Sequence, residues 1–243
     1  MFSSPSAPRT SNRFSQKVAG SSQRGNLFYL EDLSVTFSQI GALRSVQLSV
    51  ELGEIIFVTG SSGAGKTTLL RLLAGEVTPN GGLFRRAERD LNGKLLFTSQ
   101  VFQNLRLLED QTLEDNLKLS YDPAIYRSRQ EFNQDMRELC KVLAIDDRMQ
   151  LKASVANGGL RQKIAIIRAL LSRPDVLIAD EPTSSLDTDN ARKIFDLLNL
   201  YNVKRGMTII WASHNSELVK KFSGRIIHLD RGKLVYSGHA CFI

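Results

Sequence analysis

The sequence predicts an α/β fold with a mostly parallel core sheet, an antiparallel β subdomain and an inserted α-helical subdomain. Three observations carry this. Short continuous apolar runs, "EIIFVTG" and "DVLIAD", have the length and composition of strands covered on both faces. Such strands alternate with helical patterns, the order that builds a parallel sheet. From about Asn104 to Leu171 the pattern is mainly helical, which interrupts that alternation.

The elements follow in order. Residues 1–26 are rich in Ser, Pro and Gly. They carry Arg9, Arg13, Lys17 and Arg24, with no acidic residue before Glu31. Such a segment buries too little apolar surface to order itself, so a disordered basic extension is expected ahead of one domain over 27–243. A solvated extension, or a start codon placed too early, is the plain interpretation. A basic arm on anionic lipid is a second, and an organelle transit peptide ranks last. "LFYLEDLSVTF" and "LRSVQLSVEL" alternate apolar and polar residues, as half-buried antiparallel strands do. "EIIFVTG" is a buried strand, "KTTLLRLLAGE" a helix, "PNGGLFRR" a turn and "GKLLFTSQ" another strand. In "EFNQDMRELCKVL", Phe132, Met136, Leu139, Cys140 and Leu143 recur at helical spacing, which makes Cys140 a core residue. "DVLIAD", the helix "NARKIFDLLNLYN" and the strand "GMTIIWAS" follow. A helix "SELVKKF" and a hairpin "RIIHLDRGKLVYSG" close the pattern.

Composition narrows the function. The hydrophobic fraction is 42% and the charged fraction 23%, ordinary for a globular protein. No apolar run approaches a membrane span, so any membrane role is expected to come through a partner. Cys140 and Cys241 have neither metal-ligand spacing nor a disulfide framework, which fits a reducing compartment. The net charge is +7, and over half of it lies in the first 26 residues.

The strongest chemical signal is "GSSGAGKT", Gly60 to Thr67, between a buried strand and a helix. It has the G-x-x-x-x-G-K-[ST] spacing of a phosphate loop. Gly60, Gly63 and Gly65 let successive backbone N–H groups point at phosphate oxygens, and the helix N-terminus adds partial positive charge. Lys66 can pair with the β- and γ-phosphates, and the Thr67 hydroxyl can hold Mg²⁺. "VLIADE" supplies the second anchor: Asp180 emerges at the end of a buried strand as a Mg²⁺ ligand, and Glu181 can polarise an attacking water. In "VANGGLRQKIAIIRALL", the pair Gly158–Gly159 stands where a helix should start, behind Asn157, a good N-cap.

"GSSGAGKTT", "VFQ", "NGGLRQK", "VLIADEPTSSLD" and "WASH" occur in the order found in ATP-binding cassette (ABC) ATPases, and the chain resembles that family over roughly residues 27–236. The resemblance implies a P-loop NTPase fold of ABC type, with the helical subdomain inserted at about 104–171. It implies ATP and Mg²⁺ as ligands and ATP hydrolysis as the activity. Gly60, Ser61, Ser62, Gly63, Ala64, Gly65, Lys66, Thr67 and Thr68 would hold the nucleotide. Gln103 looks like the glutamine that senses Mg²⁺ and water, Asp187 the end of the D-loop, and His214 the switch histidine at the γ-phosphate. Phe37 sits where the family has an aromatic stacked on adenine, or it is an ordinary strand phenylalanine. Asn157, Gly158 and Gly159 stand at the signature motif, which in family dimers caps the nucleotide of the other subunit. Asn157 replaces the usual serine and Leu160 the usual glutamine, which sets full hydrolytic competence in question.

Within the family, "VFQNLRLLEDQTLEDNL" and "ASHNSELVKKFSGRIIHLDRGKLV" look most similar to the FtsE-type cassettes of cell division, which act with FtsX-type membrane proteins. That resemblance implies a homodimer of the ATPase, peripheral at the cytoplasmic face of the inner membrane. It would contact the bilayer through an integral permease-like partner in cell division or cell-wall remodelling. Leu105, Leu107 and Leu108 are expected to be exposed for that partner, or else to pack within the helical subdomain. Lipoprotein-release and macrolide-export ATPases are the alternative. A soluble cassette acting on nucleic acid is a further alternative and is disfavoured, since much of the charge sits in the extension. A cassette that clamps ATP with negligible turnover is the third.

Overall fold

The computed structural model describes residues 26–215, 219 and 222–239. The basic extension apart from Asn26, most of the helix expected over 216–222, and Cys241 lie outside the described residues.

Strands β1 (Asn26–Phe37) and β2 (Ile40–Glu51) pair antiparallel, and β4 (Gly81–Arg86) lies on the other side of β1. Alternation decides which side is buried: Val46, Leu48 and Val50 point inward while Gln47, Ser49 and Glu51 face water. The second sheet contains β3 (Ile55–Thr59), β5 (Thr98–Val101), β6 (Val176–Asp180), β7 (Thr208–Ala212), β8 (Arg225–Asp230) and β9 (Lys233–His239), in the order β5-β6-β7-β3-β8-β9. Its pairings are parallel except for the β8–β9 hairpin.

Every residue of β3, β6 and β7 is buried, because both faces of the sheet are covered. Ile56, Val58, Ile178 and Ile210 pack with α1 (Lys66–Leu73) and the antiparallel sheet. Their neighbours Phe57, Leu177, Ile209 and Trp211 pack with α4 (Gly158–Leu171) and α5 (Thr188–Arg205) on the opposite face. The insertion contains α2 (Leu113–Lys118), α3 (Arg129–Val142) and α4. Their N-caps Thr112, Ser128 and Asn157 each accept a backbone N–H three residues on. Phe132, Met136, Leu139, Cys140 and Leu143 are all buried, as their spacing predicts.

Three expectations change. "PNGGLFRR" is not only a turn: Gly81–Arg86 forms β4, with Phe84 opposite Leu30 and stacked on Phe28. Gly82 has φ +83°, and a Cβ there would sit 2.4 Å from the Asp32 carbonyl oxygen, so this glycine serves a close strand approach. The strand expected over "GKLLFTSQ" shrinks to Thr98–Val101, because Asp90–Lys94 closes a tight turn beside the Arg89–Leu95 bridge. Leu107 is 8% exposed and Leu105 partly buried against the helical core. Only Leu108, at 50%, presents an apolar side chain to solvent.

The topology also places the site. β5, β6, β7 and β3 are adjacent and parallel, so the residues at and just beyond their carboxyl ends share one edge of the sheet. Gln103 lies just past β5, Asp180 ends β6, His214 lies just past β7 and Gly60 just past β3.

Candidate functional site

Those four strand ends open on a cavity of about 370 Å³ lined by Ser62, Gly63, Gly65, Lys66, Thr67, Thr68, Gln103, Asp180, Glu181, Ser184 and His214, with Ala42 from β2. The loop around it needs its glycines. Gly60 has φ +148° and Gly65 +105°. A Cβ would meet the Leu229 carbonyl oxygen at 2.4 Å at the first and that of Ala42 at 2.6 Å at the second. Gly65 is also the N-cap of α1, which has no side-chain cap and no acidic residue in its first turn. That leaves its first backbone N–H groups without a capping side chain. Lys66, itself buried, folds back so that its Nζ donates to the carbonyls of Gly60 (2.9 Å) and Ser61 (3.1 Å).

Asp180 is buried, and its Oδ1 has no hydrogen-bond partner. Burial pushes its carboxyl above the usual carboxylate range. A hydrogen bond with the Thr67 side chain opposes this, the Glu181 charge adds to it, and Lys66 opposes it. Glu181 holds a left-handed backbone, φ +53°, while its N–H donates to the Ala212 carbonyl. Its Oε2 lies 2.6 Å from His214 Nδ1 and its Oε1 4.0 Å from Lys66 Nζ. A strained carboxylate braced by an imidazole, with a lysine within reach, is equipped to orient a water beside a phosphate.

The donor set fits a magnesium-bound nucleoside triphosphate. An unpartnered buried carboxylate oxygen beside a hydroxyl, with a side-chain amide on the same cavity, suits a hard cation. Among the described residues no group of three or more His, Cys, Asp or Glu could hold a metal alone. A cation here would therefore take further oxygens from phosphate and water, as Mg²⁺ does.

A second cavity, of about 590 Å³, lies at the start of α4 and is lined in part by Arg148, Asn157, Gly158, Gly159, Lys163 and Asp187. Asn157 Oδ1 accepts the Leu160 N–H at 2.8 Å. The glycines fit against the loop after Glu181: a Cβ on Gly158 would lie 3.0 Å from Ser185 Oγ, and one on Gly159 2.9 Å from Leu186 Cδ2. Lys163 Nζ donates to the Leu143 carbonyl, and burial pulls its pKa down. Asp187 caps α5 by accepting the Asn190 N–H, which holds its carboxyl below the usual range.

The candidates thus divide. Ser62, Gly63, Gly65, Lys66, Thr67, Thr68, Gln103, Asp180, Glu181 and His214 meet in the first cavity, and Asn157, Gly158, Gly159 and Asp187 in the second. Gly60 and Ser61 act through their carbonyls, and Ala64 packs into the core. Phe37 lies outside the first cavity's lining, 46% exposed at the tip of the β1–β2 hairpin. Leu160, the other departure at the α4 start, is buried in the helical core. Sequence reasoning missed Gln162, whose Nε2 donates to Ser184 Oγ (2.7 Å) and whose Oε1 accepts the Ser185 N–H (3.0 Å). It stands within "NGGLRQK", so the motif contained it, but nothing in spacing shows what it reaches.

The ABC transporter family profile matches residues 43–184. The methionine import ATP-binding protein MetN of Lactobacillus johnsonii is 32% identical over 225 residues, 86% of this chain and 63% of that protein. MetN of Clostridioides difficile is 34% identical over 220 residues, 86% of this chain and 67% of that protein. A dimeric post-hydrolysis state of the ATP-binding cassette MJ0796, bound to ADP and Pi, superposes with a TM-score of 0.76. It is 26% identical and covers 89% of this chain and 100% of that one. The chain belongs to the ABC transporter family and has the fold of its ATP-binding cassettes, a class of ATPases. It spans roughly three fifths to two thirds of the length of the MetN relatives it matches.

Proposed function

We propose that the chain binds Mg²⁺-ATP in the first cavity and hydrolyses it as one of two cassettes, each closing the other's nucleotide with Asn157–Gly159. One observation carries this reading. Lys66, Thr67, Asp180 and Glu181 line one cavity while Asn157–Gly159 line another, which supports a role for the α4 start at a nucleotide held by a second copy. The glycine-rich backbone, the α1 N-terminus and Lys66 grip the phosphates. Thr67, Asp180 and Gln103 would hold the cation, which when bound neutralises phosphate charge. Glu181 takes the proton of the attacking water, and His214 keeps the Glu181 carboxylate aimed. The partner copy's Asn157 side-chain amide and α4 N-terminus meet the γ-phosphate. Phe37 is the candidate for adenine stacking. The solved MJ0796 cassette is dimeric with ADP and Pi bound, which supports this arrangement.

Closure of the pair does work on an integral membrane subunit. Among the described residues no helix is long and apolar enough to cross a membrane, in keeping with a cassette attached to a membrane complex at its cytoplasmic face. The MetN relatives are named for methionine import. They favour solute uptake of the amino-acid class over the FtsE-like reading with an FtsX-like partner and over export. Radiolabelled methionine uptake in cells lacking the chain tests the cargo. ATP hydrolysis by the purified chain, and its loss in Glu181→Gln, tests the cassette reading.

A further inference from the structure

We infer that Arg168 is a positioning residue for hydrolysis: its guanidinium holds the two left-handed residues behind Gln103 and so fixes the glutamine's loop to α4. The inference rests on the nucleotide-site reading above. Leu105 and Arg106 have φ +57° and +47°. Two consecutive left-handed residues with a Cβ are disfavoured and persist only where the surroundings hold them. The loop supplies part of that hold itself. Leu105 N–H donates to the Phe102 carbonyl and Arg106 N–H to that of Asn104, and the Arg106 guanidinium lies 3.3 Å from the Phe102 ring centre. The rest comes from α4. Arg168 Nη2 donates to the Leu105 carbonyl and Nη1 to the Arg106 carbonyl, each at 2.6 Å. A guanidinium presents two such donors in a rigid plane, which an ammonium does not.

Arg168 lies eleven residues after Asn157, roughly 16 Å along the helix at ~1.5 Å per residue. Between them Gln162 ties α4 to Ser184 and Ser185, just after Glu181. One rigid helix therefore touches the Gln103 loop and the Glu181 loop of its own nucleotide cavity, while its first turn faces the second cavity.

The test compares Arg168→Ala and Arg168→Lys with the parent in Mg²⁺-ATP hydrolysis and in amide hydrogen exchange of the peptide spanning 102–108. Arg168→Ala should lower kcat at least tenfold with KM for ATP changed less than twofold, since Lys66, Thr67 and Asp180 are untouched. Exchange of that peptide should rise at least fivefold while the α3 peptide is unchanged. A purely structural Arg168 would lower the melting temperature yet leave kcat per bound ATP and the 102–108 exchange at parental values, and that result overturns the inference. If Arg168→Ala does not fold, Arg168→Lys, with a single nitrogen in place of the planar two-nitrogen fork, must show the same pattern at smaller size. A parent that binds ATP but never hydrolyses it defeats the hydrolytic reading of the site instead, and the exchange measurement alone then decides the role of Arg168.

Discussion

Asn157 can be asked two questions at once, because its side chain has two ends. Oδ1 accepts the Leu160 N–H and caps α4, while the side-chain amide remains to donate toward a phosphate. Asn157→Asp keeps the first function and inverts the second. Asp caps a helix about as well as Asn, so the melting temperature should move little. Opposite a γ-phosphate, however, the substitution removes a hydrogen bond to a charged group, about 1.5–3 kcal/mol, and adds a like charge. Two unit charges ~4 Å apart at an effective dielectric of ~20 repel by about 4 kcal/mol. Even the smaller figure alone slows turnover about tenfold, and the two effects together take it beyond a hundredfold. Asn157→Ser should keep both the cap and the rate. Asn157→Ala should lose about 0.5–2 kcal/mol of stability and about ten- to a hundredfold in turnover. The assay is steady-state hydrolysis beside thermal unfolding and ATP binding to the monomer, which should stay parental in all three. If Asn157→Asp hydrolyses ATP at the parental rate, the residue is a helix cap only and the phosphate role is wrong.

Three further outcomes are expected from the geometry. Asp180→Asn should raise the melting temperature of the nucleotide-free protein at neutral pH and abolish its stabilisation by Mg²⁺-ATP. The sign comes from burial: a carboxyl whose folded pKa is raised binds its proton more tightly when folded, so stability falls as pH rises from the unfolded aspartate value through the folded one. A flat pH–stability difference between parent and Asp180→Asn refutes this. Gly60→Ala should cost at least ~2 kcal/mol in denaturant unfolding and remove ATP binding, since a Cβ would collide with the Leu229 carbonyl. Leu108→Asp should abolish co-purification with the membrane subunit at unchanged stability, whereas Leu107→Asp should destabilise the helical region by several kcal/mol, having buried a charge. Equal stabilities for those two variants would contradict the placement of Leu107.

Much of this was legible because single elements carried unmixed signals. "EIIFV" and "VLIAD" read as doubly covered strands, and Lys66, Thr67, Asp180 and Glu181 stand at their ends, where a parallel sheet collects them. Local pattern failed where a tertiary contact overrode it. Gly81 and Gly82 signalled a turn, yet both lie in β4, and Gly82 allows it to lie close against β1. Exposure and packing stayed open for the leucines after Gln103, because nothing local tells Leu107, inside the helical core, from Leu108, outside it. Gln162 and Arg168 were invisible as functional candidates, since their partners are backbone or side-chain atoms up to 63 residues away. The departures at the α4 start, Asn157 and Leu160, proved locally consistent: one caps the helix and the other is buried.

The central claim is that two copies close on two nucleotides, each lending Asn157–Gly159 to the other. Light scattering of Glu181→Gln tests it most directly, because that variant should bind Mg²⁺-ATP without consuming it. The account predicts a molar mass that doubles with Mg²⁺-ATP, returns to that of one chain with ADP, and stays at one chain when Asn157→Asp is added. A chain saturated with Mg²⁺-ATP that remains a monomer at every protein concentration, with its membrane subunit present as well as without it, would contradict it.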